Sequence, residues 1–173
     1  MARRSDHSRE EIREMALTAD EKIVSKQGHA GLSARKVAGA IGYTVGTLYL
    51  VFENLDDLIL QVNGRTLDRL HDQMVKDQTR YQDPRKRLLQ LGHTYIRFAD
   101  EDPHRWEMIF ERRSKQGQKM PEWFQEKVAR MFSLVETGLE PLAKHHSRQE
   151  IAQAARALWS GVHGICILAI TRK

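Results

Sequence analysis

The sequence predicts an all-α chain in which a three-helix N-terminal domain is linked by a fourth helix to a C-terminal helical bundle. Three observations carry that prediction. Apolar residues recur at steps of three and four through most of the chain. Helix-opening signals, either Ser, Thr, Asn or Asp caps or an Asp-Pro pair, stand in front of most of these stretches. Only four of the 173 residues are proline, and alternation at the strand period is sparse. With 40% hydrophobic residues, a chain of this length can bury a real core. The division drawn from the pattern is residues 1–53 for the N-terminal domain with its arm and residues 54–173 for the bundle.

Residues 1–7 form a basic arm containing Arg3 and Arg4, read either as a solvated terminus or as a segment that follows a DNA groove. Ser8, with Glu11 three residues on, is a capping box that opens the first helix. Ile12, Ala16, Ala19 and Ile23 trace its apolar stripe until Gly28 stops it. Ser33 caps a short second helix with Val37, Ala38 and Ile41 on one face. Gly42 can take positive φ after that helix, and Thr44 caps a third carrying Val45, Leu48, Tyr49 and Phe52. Two short helices joined by a glycine turn form the helix-turn-helix pattern, whose second helix enters the DNA major groove. The same hairpin also occurs where it only packs. No Asp or Glu lies between Leu32 and Phe52, whereas Arg35 and Lys36 do, so the surface offered to a polyanion is locally positive.

Asn54 caps a long fourth helix with Asp56 and Asp57 in its first turn and Leu58, Ile59, Val62, Leu67, Leu70 and Met74 along its apolar side. A rigid helix shared by two domains is the simplest mechanical link between them. Asp83-Pro84 and Asp102-Pro103 open the fifth and sixth helices. The fifth carries Leu88, Leu91, Tyr95, Ile96 and Phe98, and the sixth Trp106, Ile109 and Phe110. Residues 112–119 lack apolar side chains and read as a loop. Pro121 starts a seventh helix with Trp123, Phe124, Val128, Met131, Phe132, Val135 and Leu139. Ser147 and Glu150 box the eighth, which is expected to run to the end of the sequence. On it, Ile151, Ala155, Leu158, Val162, Ile165 and Ala169 follow seam spacing, beside a strip of small residues at Ala154, Ala157, Gly161 and Gly164. That strip packs either on the seventh helix or on a second subunit, which makes Ala154, Ala157, Leu158, Gly161, Gly164, Ile165 and Leu168 the dimer-interface candidates.

The net charge of +5 does not point at the helix-turn-helix. Residues 1–64 hold eight Lys/Arg against nine Asp/Glu, and the excess of positive charge lies in the remainder. A single cysteine, Cys166, rules out an internal disulfide and fits a reducing, cytoplasmic compartment. Charge rather than an apolar run follows Arg3 and Arg4, so no signal peptide is read there. The longest apolar stretch, residues 161–170, is too short to span a bilayer.

The stretch GYTVGTLYLVFENLDDLI resembles the signature of TetR/AcrR-type transcriptional regulators, through Gly42, Gly46, Thr47, Leu48, Tyr49, Phe52, Asp57 and Leu58. The likeness covers residues 8–65 well and the rest loosely. Trp159-Ser160-Gly161-Val162-His163-Gly164 is also similar to the W…HG pattern in one branch of the family's C-terminal domains. The resemblance implies a ligand-responsive repressor that binds a near-palindromic operator in double-stranded DNA as a homodimer and is released by a hydrophobic or amphipathic small molecule. It implies DNA contacts from Ser33, Arg35, Lys36, Tyr43, Thr44, Val45, Gly46, Thr47 and Tyr49. Arg35 is the candidate for guanine, Val45 for a thymine methyl and Tyr49 for phosphate, with core packing as the other reading of Tyr49. Trp106, Phe110, Trp123, Phe124, Phe132, Trp159 and His163 are the candidates for a ligand pocket, or else plain core.

Departures from the family pattern carry expectations too. Val45, Val51 and Leu55 stand where relatives often have polar or basic residues, which predicts weaker or less salt-sensitive operator binding. Relatives usually continue into a further helix that completes a dimeric four-helix bundle, so either the sequence is incomplete or the dimer interface is reduced. Outside this class, no phosphate loop, nucleophile context or zinc spacing is found, so no enzyme, cofactor or metal is expected, and no membrane partner. The alternative function is a helical module that binds an acidic partner or anionic ligand through Arg112, Arg113, Lys115 and Lys119.

Overall fold

The computed structural model describes residues 7–111 and 119–170. The basic arm, most of the loop read at 112–119, and the last three residues lie outside the described residues. Every regular element described is helical: α1 (Arg9–Gln27), α2 (Ala34–Ala40), α3 (Val45–Leu48), α4 (Leu55–Gln78), α5 (Pro84–Glu101), α6 (Pro103–Met108), α7 (Glu122–Leu139) and α8 (Arg148–Ile170). Two 3₁₀ turns, His29–Gly31 and Glu140–Leu142, follow α1 and α7. No described helix is long and apolar enough to cross a membrane.

The helix starts follow their capping residues. Ser8 Oγ accepts from the Glu11 amide at 3.2 Å while the Ser8 amide donates to the Glu11 carboxylate at 2.6 Å, and Ser147 with Glu150 repeats the arrangement. Ser33, Thr44 and Asn54 accept from Lys36, Thr47 and Asp57 in the same way. Each such cap contributes about 0.5–2 kcal/mol. Pro121 stands just outside α7, its carbonyl accepting from Phe124 and Gln125, so the helix starts one residue later than the proline suggests. Phe110 and Ile109 lie beyond the end of α6, because that helix closes after two turns with hydrogen bonds back to Trp106 and Glu107.

Two apolar clusters form the interior. One gathers Ala16, Leu17 and Val24 of α1, Val37 of α2, Leu48 and Phe52 around α3, Leu58 and Val62 of α4, and Met108 of α6. The other gathers Leu60, Leu67, Leu70 and Met74 of α4 with Leu91, Tyr95 and Phe98 of α5, Trp106, and residues of α7 and α8. The boundary placed at residue 53 coincides with the cap of α4, yet the first two turns of that helix pack in the N-terminal cluster. At its far end α4 is clamped to α5 by the buried Asp77, which accepts from Arg97 and from Thr94 Oγ1 at 3.0 Å and pairs with Arg80. The Arg97 hydrogen bond, reinforced by the others against the effect of burial, holds this carboxyl below the usual carboxylate range. Against α7, Gly64 is required by contact: a Cβ there would lie 2.8 Å from the Trp123 ring.

Leu58 is fully buried where α4 enters the N-terminal cluster. Leu58→Ala is therefore expected to cost about 2–5 kcal/mol in urea unfolding, whereas the same change at the exposed Leu89 is expected to stay within about 0.5 kcal/mol.

Candidate nucleic-acid interface and apolar groove

The surface formed by α2, the turn and α3 is built from inside outwards. Val37, Ala38, Leu48 and Phe52 are buried and anchor both short helices to α1 and α4. Gly42 takes φ +76° between them, a conformation L side chains rarely adopt, and the next amide, Tyr43, donates to Ala38 O at 2.9 Å. Helix α3 is a single turn, shorter than its apolar pattern suggested, because the chain closes 3₁₀-type bonds at Leu50 and Val51 before Asn54 caps α4.

Anchoring leaves a defined set of residues on the outside. Arg35, Lys36, Thr44, Gly46 and Tyr49 are exposed, and Ser33, Tyr43, Val45 and Thr47 are half-buried. Tyr49 is 44% exposed, so it is not a core residue. Several candidates are already engaged within the chain. Ser33 and Thr44 cap helices, and the Thr44 and Thr47 hydroxyls bond each other at 3.0 Å. Lys36 Nζ donates to Gln27 Oε1 at 2.8 Å and Gly31 O at 2.6 Å, which ties α2 to the end of α1. The Tyr43 hydroxyl lies 2.8 Å from His7 Nδ1. At Gly46 a Cβ would meet only Thr44 Oγ1, at 3.7 Å, so the fold does not demand glycine there. Val51 and Leu55 pack against the N-terminal cluster, which accounts for their being apolar.

In the C-terminal half the seven ligand candidates separate. Trp159 stacks on His163 with centroids 4.8 Å apart and planes at 14°, Phe110 meets the same imidazole edge-on at 4.4 Å, and Trp106 lies 5.0 Å away. Phe132 abuts Trp159 at 5.6 Å. Tyr95, which the sequence pattern placed only in an apolar stripe, completes the group with its hydroxyl 3.0 Å from His163 Nδ1. Burial lowers the His163 pKa below the ordinary imidazole value and raises that of Tyr95, so both are neutral at pH 7. Trp123 and Phe124 form a separate pair on α7, with Trp123 over Gly64 and beside α1.

A cavity of about 460 Å³ adjoins the group around His163 between α5 and α8, with walls that include Leu88, Leu91, Ile96, Val135 and Val162 along with Tyr95. Trp159 is the one candidate that lines the cavity, because the other rings pack on one another and leave aliphatic side chains to face the space. Leu158 and Ile165 also line it.

Helix α8 buries Ile151, Ala155 and Cys166, with Trp159, Val162 and Ile170 packed beside them. Leu158, Ile165 and Ala169, read on the same seam, are exposed. Leu158, Ile165 and Leu168 are 44%, 56% and 60% exposed, beside exposed Ala154, Ala157 and Gly161 and half-buried Gly164. A Cβ at Gly161 or Gly164 would meet nothing within 4 Å, so the small-residue strip does not pack on α7. Among the described residues no group of three or more His, Cys, Asp or Glu is placed to hold a metal ion.

A helix-turn-helix hairpin is thus joined by one long helix to a helical bundle with an apolar cavity. Residues 88–173, just under half of the chain, match the family model for the tetracyclin repressor-like C-terminal domain. No curated protein matches it by sequence. Solved structures share the whole fold. A protein of unknown function from Rhodococcus sp. RHA1 superposes with TM-score 0.79 at 18% identity, over 99% of this chain and 87% of that one. The regulator FadR from Bacillus subtilis, solved in complex with stearoyl-CoA, gives 0.72 at 13% over 92% and 87%. The TetR family transcriptional regulator PfmR from Thermus thermophilus gives 0.63 at 18% over 92% and 85%.

Because the His163 pKa is depressed, its contribution to stability is complete above the unfolded value near 6.5 and is lost as the pH falls through the folded value. An NMR titration is expected to place the His163 midpoint below 6.5. Tyr95→Phe, which removes the hydroxyl bonded to it, is expected to cost about 1 kcal/mol of unfolding free energy.

Proposed function

We propose that this protein is a ligand-responsive repressor that reads a near-palindromic DNA operator as a two-fold dimer and lets go when an apolar or amphipathic molecule enters its C-terminal domain. The observation that carries the reading is the α2–α3 surface: free of acid from Leu32 to Phe52, with Arg35 and Tyr49 exposed and with a glycine at 46 that the fold itself does not need. Close approach of a backbone to phosphate or base edge is one demand that explains such a glycine. In this reading Arg35 pairs with a base edge, Val45 meets a thymine methyl, and Tyr49 and the Thr47 region meet phosphate. Ser33, Lys36, Tyr43 and Thr44 act mainly by holding the two helices in position, given their bonds inside the chain.

One module of this size makes few base contacts, so two copies reading successive major grooves supply the specificity. The exposed apolar side of α8 supports self-association through Leu158, Ile165 and Leu168 across the small-residue strip. The cavity between α5 and α8 supports a ligand with an extended apolar portion, such as an acyl chain. A ligand there shifts the equilibrium only by as much as it prefers one arrangement of the heads. Helix α4, packed in both clusters, carries that preference to the reading surface.

The test begins with DNA selected from a random pool. Arg35→Ala is expected to weaken binding by about 1–3 kcal/mol, with Arg113→Ala unchanged. Loss on Arg113→Ala alone would instead favour the acidic-partner module. Few phosphates neutralised by side chains predicts a shallow dependence of log affinity on log salt, measured on the wild-type complex. Ile165→Glu is expected to give a monomer in sedimentation and to lose operator binding, and a dimer that survives this change argues against α8 as the interface.

A further inference from the structure

Helix α1 meets the ligand-binding half along a second contact, parallel to the α4 link. Ser25 Oγ donates to Asp102 Oδ2 at 2.9 Å and His104 Nδ1 lies 3.2 Å from Ser25 O, while Asn63 Nδ2 of α4 donates to Met108 O at 3.0 Å and ties α6 to the α4 link as well. Within this contact a carboxyl without a donor lies near a partly satisfied guanidinium. Asp20 is 0% exposed, in line with Leu17 and Val24 on the buried face of α1, and neither carboxyl oxygen has a hydrogen-bond partner among the described residues. Arg105 of α6 is 5% exposed, its Nη2 donating to Thr66 Oγ1 at 3.3 Å and lying 3.5 Å from Glu21 Oε1. Its Nε has no hydrogen-bond partner among the described residues, with Asp102 Oδ2 4.0 Å away. The Arg105 charge reaches Asp20, yet no hydrogen bond joins the two.

A buried carboxylate without a donor is costly, whereas a neutral carboxylic acid is tolerated. Burial, with Glu21 adding to it and Arg105 opposing, pushes the Asp20 carboxyl up to about 7. We propose that Asp20 is a proton-controlled latch between reading head and ligand domain: neutral, it lets α6 lie on α1 with Arg105 turned to Glu21 and Thr66, and ionised, it draws the guanidinium across and shifts α6 against α1. The charged and titratable groups around it are Glu21 on α1, Arg65 and Arg69 on α4, and Asp102 and Arg105 on α6. Lys36 of α2, the His29–Glu111 pair and His104 stand nearer the C-terminal end of α1. Helix α3 carries no charged residue. The sign is fixed by linkage: a carboxyl raised from 3.8 to about 7 contributes stability that is full below about pH 4, declines as the pH rises to about 7, and is level beyond.

The latch rests on the regulator reading only for its effect on DNA. Asp20→Asn keeps the shape of the neutral acid and cannot ionise. Hydrogen exchange on α1 and α6, corrected for intrinsic amide chemistry, is compared at pH 6 and pH 8 in the full chain. The expected result is severalfold faster exchange of α6 amides at pH 8 in the wild type and none in D20N. Equal pH dependence in the two chains overturns the latch, because D20N leaves every other group of the contact intact. Arg105→Gln gives an independent arm, since with no cation to draw across the change must vanish, and its persistence also overturns the proposal. Affinity for pool-selected DNA is then expected to vary between pH 6 and 8 in the wild type alone. Affinity that ignores pH while exchange responds overturns the regulatory part. A chain that binds no DNA at any pH fails the repressor reading, with exchange still deciding the latch.

Discussion

Helix α4 is a member of two hydrophobic cores at once, and much of the architecture follows from that constraint. Leu58 and Val62 near its start close the N-terminal cluster, and Leu60, Leu67, Leu70 and Met74 lie in the C-terminal one. Leu58 and Leu60, only two residues apart, already belong to different clusters, so the two cores overlap along the helix rather than meet end to end. A displacement of α4 therefore cannot be confined to one domain, since close-packed interiors transmit strain instead of absorbing it. Asp77 secures the far end to α5, and Asn54 caps the near end beside the reading surface.

Much of this was legible in the sequence because it depends on local chemistry. Caps at Ser8, Ser33, Thr44, Asn54, Asp83, Asp102 and Ser147 act within one turn of chain and need no tertiary information. Pairings between distant segments were not legible. Tyr95 reads as one more apolar residue of its stripe until α8 brings His163 to its hydroxyl. Leu158 and Ile165 read as seam residues because spacing identifies a face without saying what covers it. Within the candidate interface, Arg35 was legible as a positive position outside the core, whereas the exposure of Tyr49 and the use of Lys36 as a brace depend on how the helices pack.

The separation of aromatic from aliphatic surface in the C-terminal half has a simple physical cause. Rings gain from edge-on and offset contacts beyond their area, so Trp106, Phe110, Phe132 and Trp159 are better matched by one another and by the neutral His163 than by leucines. Aliphatic side chains of α5 and α8 are then left lining the space beside Gly92, where a Cβ would lie 3.7 Å from Val162 Cγ2. A cavity arises there without any residue being strained to make it.

The shortness of α3 bears on how this protein changes over generations. One helical turn is far too short to persist alone, so its shape is imposed from beneath by Leu48 and Phe52, while Val45, Gly46 and Tyr49 contribute little to that support. Substitutions at the outer positions leave folding almost untouched. If the surface reads DNA as proposed, a new preference can be acquired by mutation without first acquiring a stabilising change elsewhere, and divergence among duplicated copies meets little resistance from the scaffold.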